Sequence, residues 1–354
     1  MNAAPGPKSV FYFYITPEFT MLAFTTALET LRLANQVLGR EKYAWRIVSS
    51  DGGPVRASCG LQLGADLSLD EARGQTRAAA TRMVVICSGQ NVERYASRSL
   101  ASWLRECRKA RIPLGAVCTG AHLLAQAGLL DRRRCTIHWE NLAAFSERFS
   151  DVQPSAQILA VDDGIYTCAG GTSSLEMMLE IIGREEGRGT AAAICQLAIV
   201  ASLRDGSERQ RLPYMLPLGV DNPNLRTLVG IMEENIADPI ALSLVAIRAG
   251  ISRRQMERYF RDTFDCSPGK YYMRLRIERA RSLLRQTTMP VVEIAVACGF
   301  VSASHFSKMY RSFEGMPPHE SRALRKQWLE EPAPIPPKPL PPVGQITPHS
   351  SLAA

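Results

Sequence analysis

The stretch GAVCTGAHLLAQAGLL, residues 115–130, puts Cys118 at a small-residue turn between a strand-like run and a helix. Residues 111–117 supply the strand, and the alanine- and leucine-rich run after the turn supplies the helix. In α/β enzymes such a turn displays a nucleophile at the carboxyl end of a strand. The stretch therefore predicts an α/β domain, and it raises the question whether Cys118 reacts or lines a pocket.

Strand-like and helix-like segments alternate through about the first 200 residues. SVFYFYI at residues 9–15 and RMVVICSG at residues 82–89 have the pattern of buried strands. YTCAGGTSSLEMMLEII at residues 166–182 runs from a strand into a helix. This alternation predicts a parallel sheet with helices on both faces, of the amidotransferase or flavodoxin-like type. After residue 224 the strand patterns end, and the remainder predicts an all-α domain.

Composition excludes several classes of protein. No apolar run approaches the ~18 residues of a membrane span, and the first residues lack the pattern of a signal peptide. The nine cysteines are scattered and include no C-x-x-C pair, which favours a reducing cytoplasm over a disulfide framework or a zinc site. We therefore expect a cytoplasmic protein with no membrane partner, no metal and no cofactor.

Positive charge is concentrated towards the C-terminal end. Residues 248–326 hold 16 Lys and Arg against 7 Asp and Glu, whereas the remainder holds 26 against 27. This region therefore accounts for the whole net charge of +8. A confined basic patch is typical of proteins that bind a phosphate backbone, although a solvated basic face gives the same count.

Two similar segments lie inside or at the edge of this basic region, VAIRAGISRRQMERYFR at residues 245–261 and IAVACGFVSASHFSKMYR at residues 294–311. Each has a short apolar helix, a glycine (Gly250 or Gly299), a serine cap and a second helix with aromatic residues. This is the helix-turn-helix plan. Residues 267–287 predict a connecting helix of about 19 residues, roughly 28 Å long. Such a connector can hold the two second helices about one DNA turn apart.

The second helix of each motif is expected to lie in the major groove of double-stranded DNA. Its inward face is predicted to consist of Met256, Tyr259 and Phe260 in one motif and of Phe306, Met309 and Tyr310 in the other. The outward side chains suit base edges and phosphates. The predicted DNA-contacting residues are Ser252, Arg253, Arg254, Gln255, Arg258, Arg261, Ser304, His305, Ser307, Lys308 and Arg311.

The C-terminal part resembles the AraC-type DNA-binding domain. The resemblance rests on RLRIERARSLL, the two motifs and HFSKMYRSFEGMPPHESR, and it covers residues 225–326. Two details depart from the usual pattern: Asp265 stands where the family usually has glycine, and Pro317 and Pro318 replace Ser-Pro. The second departure concerns how the last helix is capped.

The N-terminal part resembles the ThiJ/PfpI branch of the glutamine-amidotransferase-like superfamily. CTGAHLLAQAGLLDRRRCTIHW and YTCAGGTSSLEMMLEII carry this resemblance. A ThiJ/PfpI domain ahead of an AraC-type domain is the architecture of GlxA-like transcriptional regulators. The resemblance implies a sensory domain that often dimerises, and hence a homodimer that activates catabolic genes with RNA polymerase. It also implies a nitrogen-bearing effector such as an amino acid, a betaine or carnitine.

Four regions are therefore predicted. Residues 9–202 form the ThiJ/PfpI-like effector-sensing domain, and residues 203–224 form a polar, proline-containing linker. The AraC-type DNA-binding domain spans residues 225–326, with its motifs at about 245–266 and 293–316. Residues 330–354 form a proline-rich tail that is expected to be disordered.

Around Cys118 the sequence supplies the parts of a ligand pocket. A backbone N–H of Thr119 and one near Gly89 can receive an oxyanion or a ligand carboxylate, and the resemblance selects His138 as the base. Superfamily enzymes place an acidic residue early in the first helix, where the alignment puts Ala23. We therefore expect Cys118 to line an effector pocket in a degenerate domain that is not an enzyme. Catalysis, redox sensing and an inert buried cysteine are the other roles open to it.

Two functions from different classes are consistent with these features. The first is a sequence-specific DNA-binding regulator controlled by a small metabolite. The second is a cysteine-dependent hydrolase, hydratase or amidotransferase-like enzyme that its basic domain tethers to DNA. Ala23 and the doubled helix-turn-helix motif favour the first.

Overall fold

The computed structural model describes residues 9–78, 81–200, 203–210 and 222–323 of the 354-residue chain. The predicted proline-rich tail and residues 211–221 of the predicted linker lie outside these ranges. Among the described residues, no helix combines the length and the apolar character that a membrane crossing requires.

The strands all lie in the N-terminal part. They are β1 (Ser9–Ile15), β2 (Tyr43–Ser49), β3 (Val55–Arg56), β4 (Gln62–Leu63), β5 (Leu67–Ser68), β6 (Thr81–Cys87), β7 (Leu114–Val117), β8 (Arg134–Thr136), β9 (Gln153–Ser155), β10 (Leu159–Asp162) and β11 (Ile165–Cys168). Seven of them form one sheet in the order β10-β11-β7-β6-β1-β2-β5. All neighbours in this sheet are parallel except the edge strand β10, which runs antiparallel to β11.

Helices cover both faces of this sheet, as the alternating pattern predicted. They are α1 (Met21–Leu38), α2 (Leu69–Ala78), α3 (Arg98–Lys109), α4 (Ala121–Gln126), α5 (Trp139–Arg148), α6 (Ser173–Glu186) and α7 (Arg188–Leu197). Successive residues of β1 point to opposite faces, so Phe11 and Phe13 join the core beneath α1 and α6, whereas Tyr12 and Tyr14 join the core beneath α3. Burial on both faces explains why the strand is apolar throughout its length.

The C-terminal part is entirely helical among its described residues. Its helices are α8 (Pro223–Glu234), α9 (Leu242–Arg248), α10 (Arg253–Phe264), α11 (Pro268–Gln286), α12 (Val291–Ala297) and α13 (Ala303–Glu314). One apolar cluster surrounds Met256 and Phe260 of α10, and a second surrounds Phe306 and Tyr310 of α13. Each helix-turn-helix motif thus has a core of its own.

The connecting helix α11 joins these two clusters. It contains 19 residues, as predicted. The Ser267 hydroxyl accepts a hydrogen bond from the Lys270 N–H, and Pro268 occupies the first helical position, where its missing N–H costs no hydrogen bond. Tyr271 and Leu275 face the first cluster, and Leu283 faces the second.

The described part of the predicted linker, residues 203–210, lies against the α/β domain. The Gln210 side-chain amide donates to the backbone carbonyls of Ile137 and Gln157, at 2.8 and 3.0 Å. From the same segment, a guanidinium nitrogen of Arg209 lies 3.5 Å from a carboxylate oxygen of Glu233 in α8. This segment therefore contacts both domains, whose sequence-based boundaries stay predictions.

Candidate functional site

Cys118 stands at the turn between β7 and α4, as the opening stretch predicted. Its φ of +59° lies in the left-handed region, which non-glycine residues rarely adopt. Its N–H donates to the Cys168 carbonyl at 3.1 Å. Opposite it, a Cβ at Gly170 would lie 2.6 Å from the Cys118 Cβ, so this close approach requires glycine. The backbone thus has the sharp geometry of a nucleophile elbow.

The environment of the Cys118 thiol disfavours its charged form. The residue is 7% exposed, and burial raises the pKa of the thiol to about 11. The Thr20 hydroxyl, 3.4 Å from the sulfur, and the Thr119 N–H both oppose this rise. The net result is a protonated thiol at neutral pH, whereas a reactive cysteine needs a lowered pKa.

Thr20, directly before α1, supplies the side chain that reaches the sulfur of Cys118. Ala23, which the alignment placed at the acidic position, is fully buried on the inward face of α1, in the same core as Phe13 and Phe24. Thr20 thus contacts the sulfur of Cys118, and the assignment of Ala23 to the acidic position stays a prediction. Thr20 was not among the predicted pocket residues, because no sequence pattern marks a contact between a loop and a turn 98 residues away.

The other predicted pocket residues surround the elbow. The Thr119 hydroxyl donates to the Gly89 carbonyl at 2.7 Å, and the His138 N–H donates to the Cys118 carbonyl at 3.2 Å. The His138 imidazole Nδ1 lies 3.7 Å from a carboxylate oxygen of Glu140. Burial lowers the pKa of His138, which favours the neutral ring, although Glu140 opposes this shift. Gly89, Thr119 and His138 are thus brought together with Cys118, and their role in binding a ligand stays a prediction.

Two surface depressions lie away from this elbow. One is bordered by Trp103 and Glu106 of α3, and the other by Arg108 and Asp163. Within the described ranges, no group of three or more His, Cys, Asp or Glu side chains is placed to hold a metal ion. The arrangement at Cys118 therefore consists of hydrogen-bonding backbone groups, a neutral thiol and an imidazole.

The predicted DNA-contacting side chains lie on the outer faces of α10 and α13. Ser307 is half-buried, and the others are exposed. The hydroxyl of Ser252 accepts from the Gln255 N–H, while the Gln255 side chain accepts from the Ser252 N–H, which forms a capping box. Gln255 is therefore engaged in holding the helix start as well as facing outward. On the inner faces, Tyr259 and Met309 are half-buried, whereas the other predicted inward residues are buried.

Both motifs turn at a glycine with positive φ, +69° at Gly250 and +73° at Gly299. The surroundings of the two glycines differ. A Cβ at Gly250 would have no atom of the described residues within 4 Å, whereas one at Gly299 would lie 2.5 Å from Pro239 and 2.6 Å from the Ile236 carbonyl. The second turn is thus packed against the loop that joins α8 to α9, and the first is not.

Arg276 of α11 fixes the second turn from the other side. Its guanidinium donates to the carbonyls of Cys298 and Gly299, at 2.9 and 2.7 Å, and lies 4.1 Å from the centre of the Phe300 ring. Arg276 lies in RLRIERARSLL, one of the stretches that carry the AraC-type resemblance, but the sequence pattern gives no signal for this contact. The arginine thereby satisfies carbonyl groups at the end of α12 and in the turn before α13.

Comparison with known proteins follows the same division of the chain. The family described as DJ-1/PfpI matches residues 11–184, and the family described as helix-turn-helix domain matches residues 245–323. The HTH-type transcriptional regulator GbdR of Pseudomonas aeruginosa (strain UCBPP-PA14) is 41% identical over 346 residues, which cover 98% of this chain and 91% of GbdR. The HTH-type transcriptional regulator CdhR of Pseudomonas aeruginosa (strain ATCC 15692) is 35% identical, over 96% of this chain and 98% of CdhR. The HTH-type transcriptional regulator GlxA of Rhizobium meliloti (strain 1021) is 32% identical, over 88% of this chain and 94% of GlxA.

Proposed function

The chain belongs to the GlxA-like family of HTH-type transcriptional regulators, in which a DJ-1/PfpI domain precedes an AraC-type DNA-binding domain, and from this premise we propose that a small metabolite bound near Cys118 controls its DNA binding. The metabolite belongs to the nitrogen-bearing class of amino acids, betaines and carnitine. The protein acts as a homodimer that activates catabolic genes through RNA polymerase.

The observation that carries this proposal is the contrast between the backbone and the chemistry of the elbow. Cys118 keeps the positive φ of a nucleophile, yet its thiol has a pKa of about 11 and faces the hydroxyl of Thr20. A thiol held in its neutral form is a weak nucleophile. The elbow thus supports ligand binding by a catalytically degenerate domain better than turnover.

Control of DNA binding then follows from linkage. A metabolite that binds more tightly to one arrangement of the two domains, or of the dimer, shifts the protein towards that arrangement. The recognition helices α10 and α13 are joined by the 19-residue α11 and so move as one unit. The metabolite thereby changes how that unit is presented to two successive major grooves.

The test is a thermal-shift screen of the wild type and of Cys118→Ser against amino acids, quaternary amines and polyamines. We expect one compound to raise the melting temperature of the wild type by several degrees and to be recovered unchanged. Consumption of a compound by the wild type and not by Cys118→Ser would identify an active enzyme and contradict the proposal.

DNA binding is tested in parallel by its salt dependence. Several phosphates are neutralised by Lys and Arg side chains, so the affinity is expected to fall by roughly 10³-fold between 50 and 200 mM salt. An affinity that is independent of salt would remove α10 and α13 as the DNA-binding surface.

A further inference from the structure

One helix, α5, touches both the elbow and the DNA-binding domain. On the elbow side, the chain enters α5 at His138, whose N–H is bonded to the Cys118 carbonyl. Further along, the His122 ring of α4 packs edge-on against Phe145 and Phe149, with ring centres 6.3 and 5.1 Å apart. Both the start and the end of α5 are therefore in contact with the strand-to-helix unit that carries Cys118.

On its other side, α5 is docked on α11 of the DNA-binding domain. The Glu140 carbonyl accepts hydrogen bonds from the Ser282 hydroxyl at 2.6 Å and from the Gln286 side-chain amide at 2.7 Å. Two turns further along α5, the carboxylate of Glu147 lies 3.1 Å from the guanidinium of Arg279 in α11. These contacts join segments that are more than 130 residues apart in the sequence.

The contact between α5 and α11 is largely polar, which suits a contact that can open. Its apolar part includes Ala144, which is 9% exposed and lies in the same cluster as Ala280 and Leu283, and the half-buried Ala143, which packs against that cluster. The Nε of Arg279 is buried without a hydrogen-bond partner. A buried N–H that stays unsatisfied destabilises the arrangement that buries it. The docked arrangement is therefore less stable than a packed core of the same size would be.

The helix α11 in turn is bound to both helix-turn-helix motifs. Tyr271 near its start packs against the Phe260 ring of α10, with ring centres 5.0 Å apart. Arg276 near its middle holds the Cys298 and Gly299 carbonyls before α13. A displacement of α11 therefore displaces α10 and α13 together.

We propose that α5 is the coupling helix of this protein, the element through which the occupancy of the Cys118 elbow and the binding of DNA influence each other. Both events bias the same contact, the docking of α5 on α11. The inference rests on the proposed function, because it assigns the route by which the elbow reaches the DNA-binding helices. Linkage makes the coupling reciprocal, so DNA must alter the elbow if the elbow alters DNA binding.

Reciprocity allows a test without a known metabolite. The probe is a duplex that the full-length wild-type protein selects from random DNA, and the measurement is amide hydrogen exchange in α5 and in residues 118–124. We expect bound DNA to change the exchange rate in these two segments by about fivefold or more, the lower end of typical coupling.

Charge reversal tests whether the signal passes through the docked contact. Glu147→Arg and Arg279→Glu each place like charges together, so each single variant is expected to lose the DNA-induced change in exchange. The double variant restores an opposite-charge pair and is expected to recover it. The matched control is Glu180→Arg, which removes the ion pair with Arg184 on the exposed side of α6, and it should behave as the wild type.

The outcomes separate the coupling from the function on which it rests. DNA binding with unchanged exchange at α5 and the elbow in the wild type would overturn the coupling and leave the DNA-binding function standing. An unchanged DNA effect in both single variants would equally overturn it. If the wild type selected no duplex, the proposed function would fail, and the coupling with it.

Discussion

At Cys118, the backbone has the geometry of a nucleophile elbow, but the side chain does not have the environment of a reactive thiol. The turn retains a positive φ and a close approach by Gly170, which together define the shape of a nucleophile elbow. The thiol, however, is buried, faces the Thr20 hydroxyl and has a pKa of about 11. The shape depends on small residues at fixed positions, whereas the pKa of the thiol depends on its burial.

This difference predicts slow alkylation of Cys118. A pKa near 11 instead of 9.0 lowers the thiolate fraction at pH 7.5 by about 100-fold, and burial reduces access further. Peptide mapping after treatment with iodoacetamide should find the exposed Cys59 modified first and Cys118 at least about 100-fold more slowly. Preferential modification of Cys118 would show an activated thiol and support the enzyme alternative.

The elbow was predictable from the sequence, whereas its partner was not. Small residues after a strand identify Cys118 because few other sequences can make that turn. Thr20 precedes α1 in a short irregular loop, where no periodicity marks which side chain faces Cys118. The identity of a contact across 98 residues depends on the angle between two elements, which the sequence pattern does not contain.

At the scale of elements, the two helix-turn-helix motifs share one plan but differ in their neighbours. At Gly250, a Cβ would have no atom of the described residues within 4 Å, whereas at Gly299 it would overlap Pro239 and the Ile236 carbonyl. The repeat in the sequence predicted both turns, because glycine and a following serine cap recur at almost the same spacing. It could not predict that only the second turn is enclosed.

Alanine at the two turns should therefore have unequal effects. At Gly250, Ala costs about 1 kcal/mol of unfolding free energy, since the left-handed backbone disfavours a Cβ. At Gly299, the same strain is joined by overlap with Pro239 and backbone, which adds about 1–3 kcal/mol. Urea unfolding of the full-length variants measures both, and equal losses would contradict the packing at the second turn.

The exposed face of α13 leads to a prediction about DNA. Lys308→Ala removes a charge that is predicted to meet a phosphate, so we expect weaker binding to all sequences and a salt slope reduced by about 1. Arg254→Ala on α10 should weaken binding in the same assay. Lys109→Ala removes an equally exposed charge from α3 and serves as the control, for which we expect unchanged affinity. An unchanged affinity in Lys308→Ala would exclude its predicted role.

At the scale of the whole molecule, His122 in the α/β domain and Glu233 in the helical domain have shifted pKa values that affect stability between about pH 4 and 7. Burial lowers the pKa of His122 in α4 from 6.5 to about 4. In α8, burial raises the pKa of Glu233 from 4.5 to about 7, against the attraction of Arg209. Both shifts favour the neutral form of the buried group, and they affect the stability of the two domains in opposite directions.

The α/β domain should lose stability on acidification, and the helical domain should lose it as pH rises. His122 binds its proton more readily in the unfolded chain, so its contribution is present above pH 6.5 and lost as pH falls to about 4. Glu233 binds its proton more readily in the folded chain, so its contribution is present below pH 4.5 and lost as pH rises to about 7. Each change amounts to roughly 3 kcal/mol at most.

Hydrogen exchange of the full-length protein between pH 4 and 8, corrected for intrinsic rates, separates the two domains. We expect His122→Asn to flatten the acid loss in the α/β domain and Glu233→Gln to flatten the loss above pH 5 in the helical domain. Each variant also serves as the control for the other domain. A parallel change with pH in both domains would contradict the assignment of these shifts.

The docking of α5 on α11 belongs to this scale and has no counterpart in the sequence pattern. The periodicity of α11 correctly gave its 19 residues, because Ser267 and Pro268 fix its start. The residues of the contact, such as Glu147 and Arg279, have the appearance of ordinary solvent-facing charges. Only the packing of the two folded domains shows that they meet.

That contact also limits how freely the parts of this regulator can be exchanged. A chimera that joins the helical domain to a foreign N-terminal domain would remove Ala144 from Ala280 and Leu283, and would leave Arg279 without Glu147. The contact between the two domains through α5 and α11 therefore lies away from the segment that links them along the chain. A graft that keeps this contact would have to carry α5 along with the helical domain, although the two are distant in the chain.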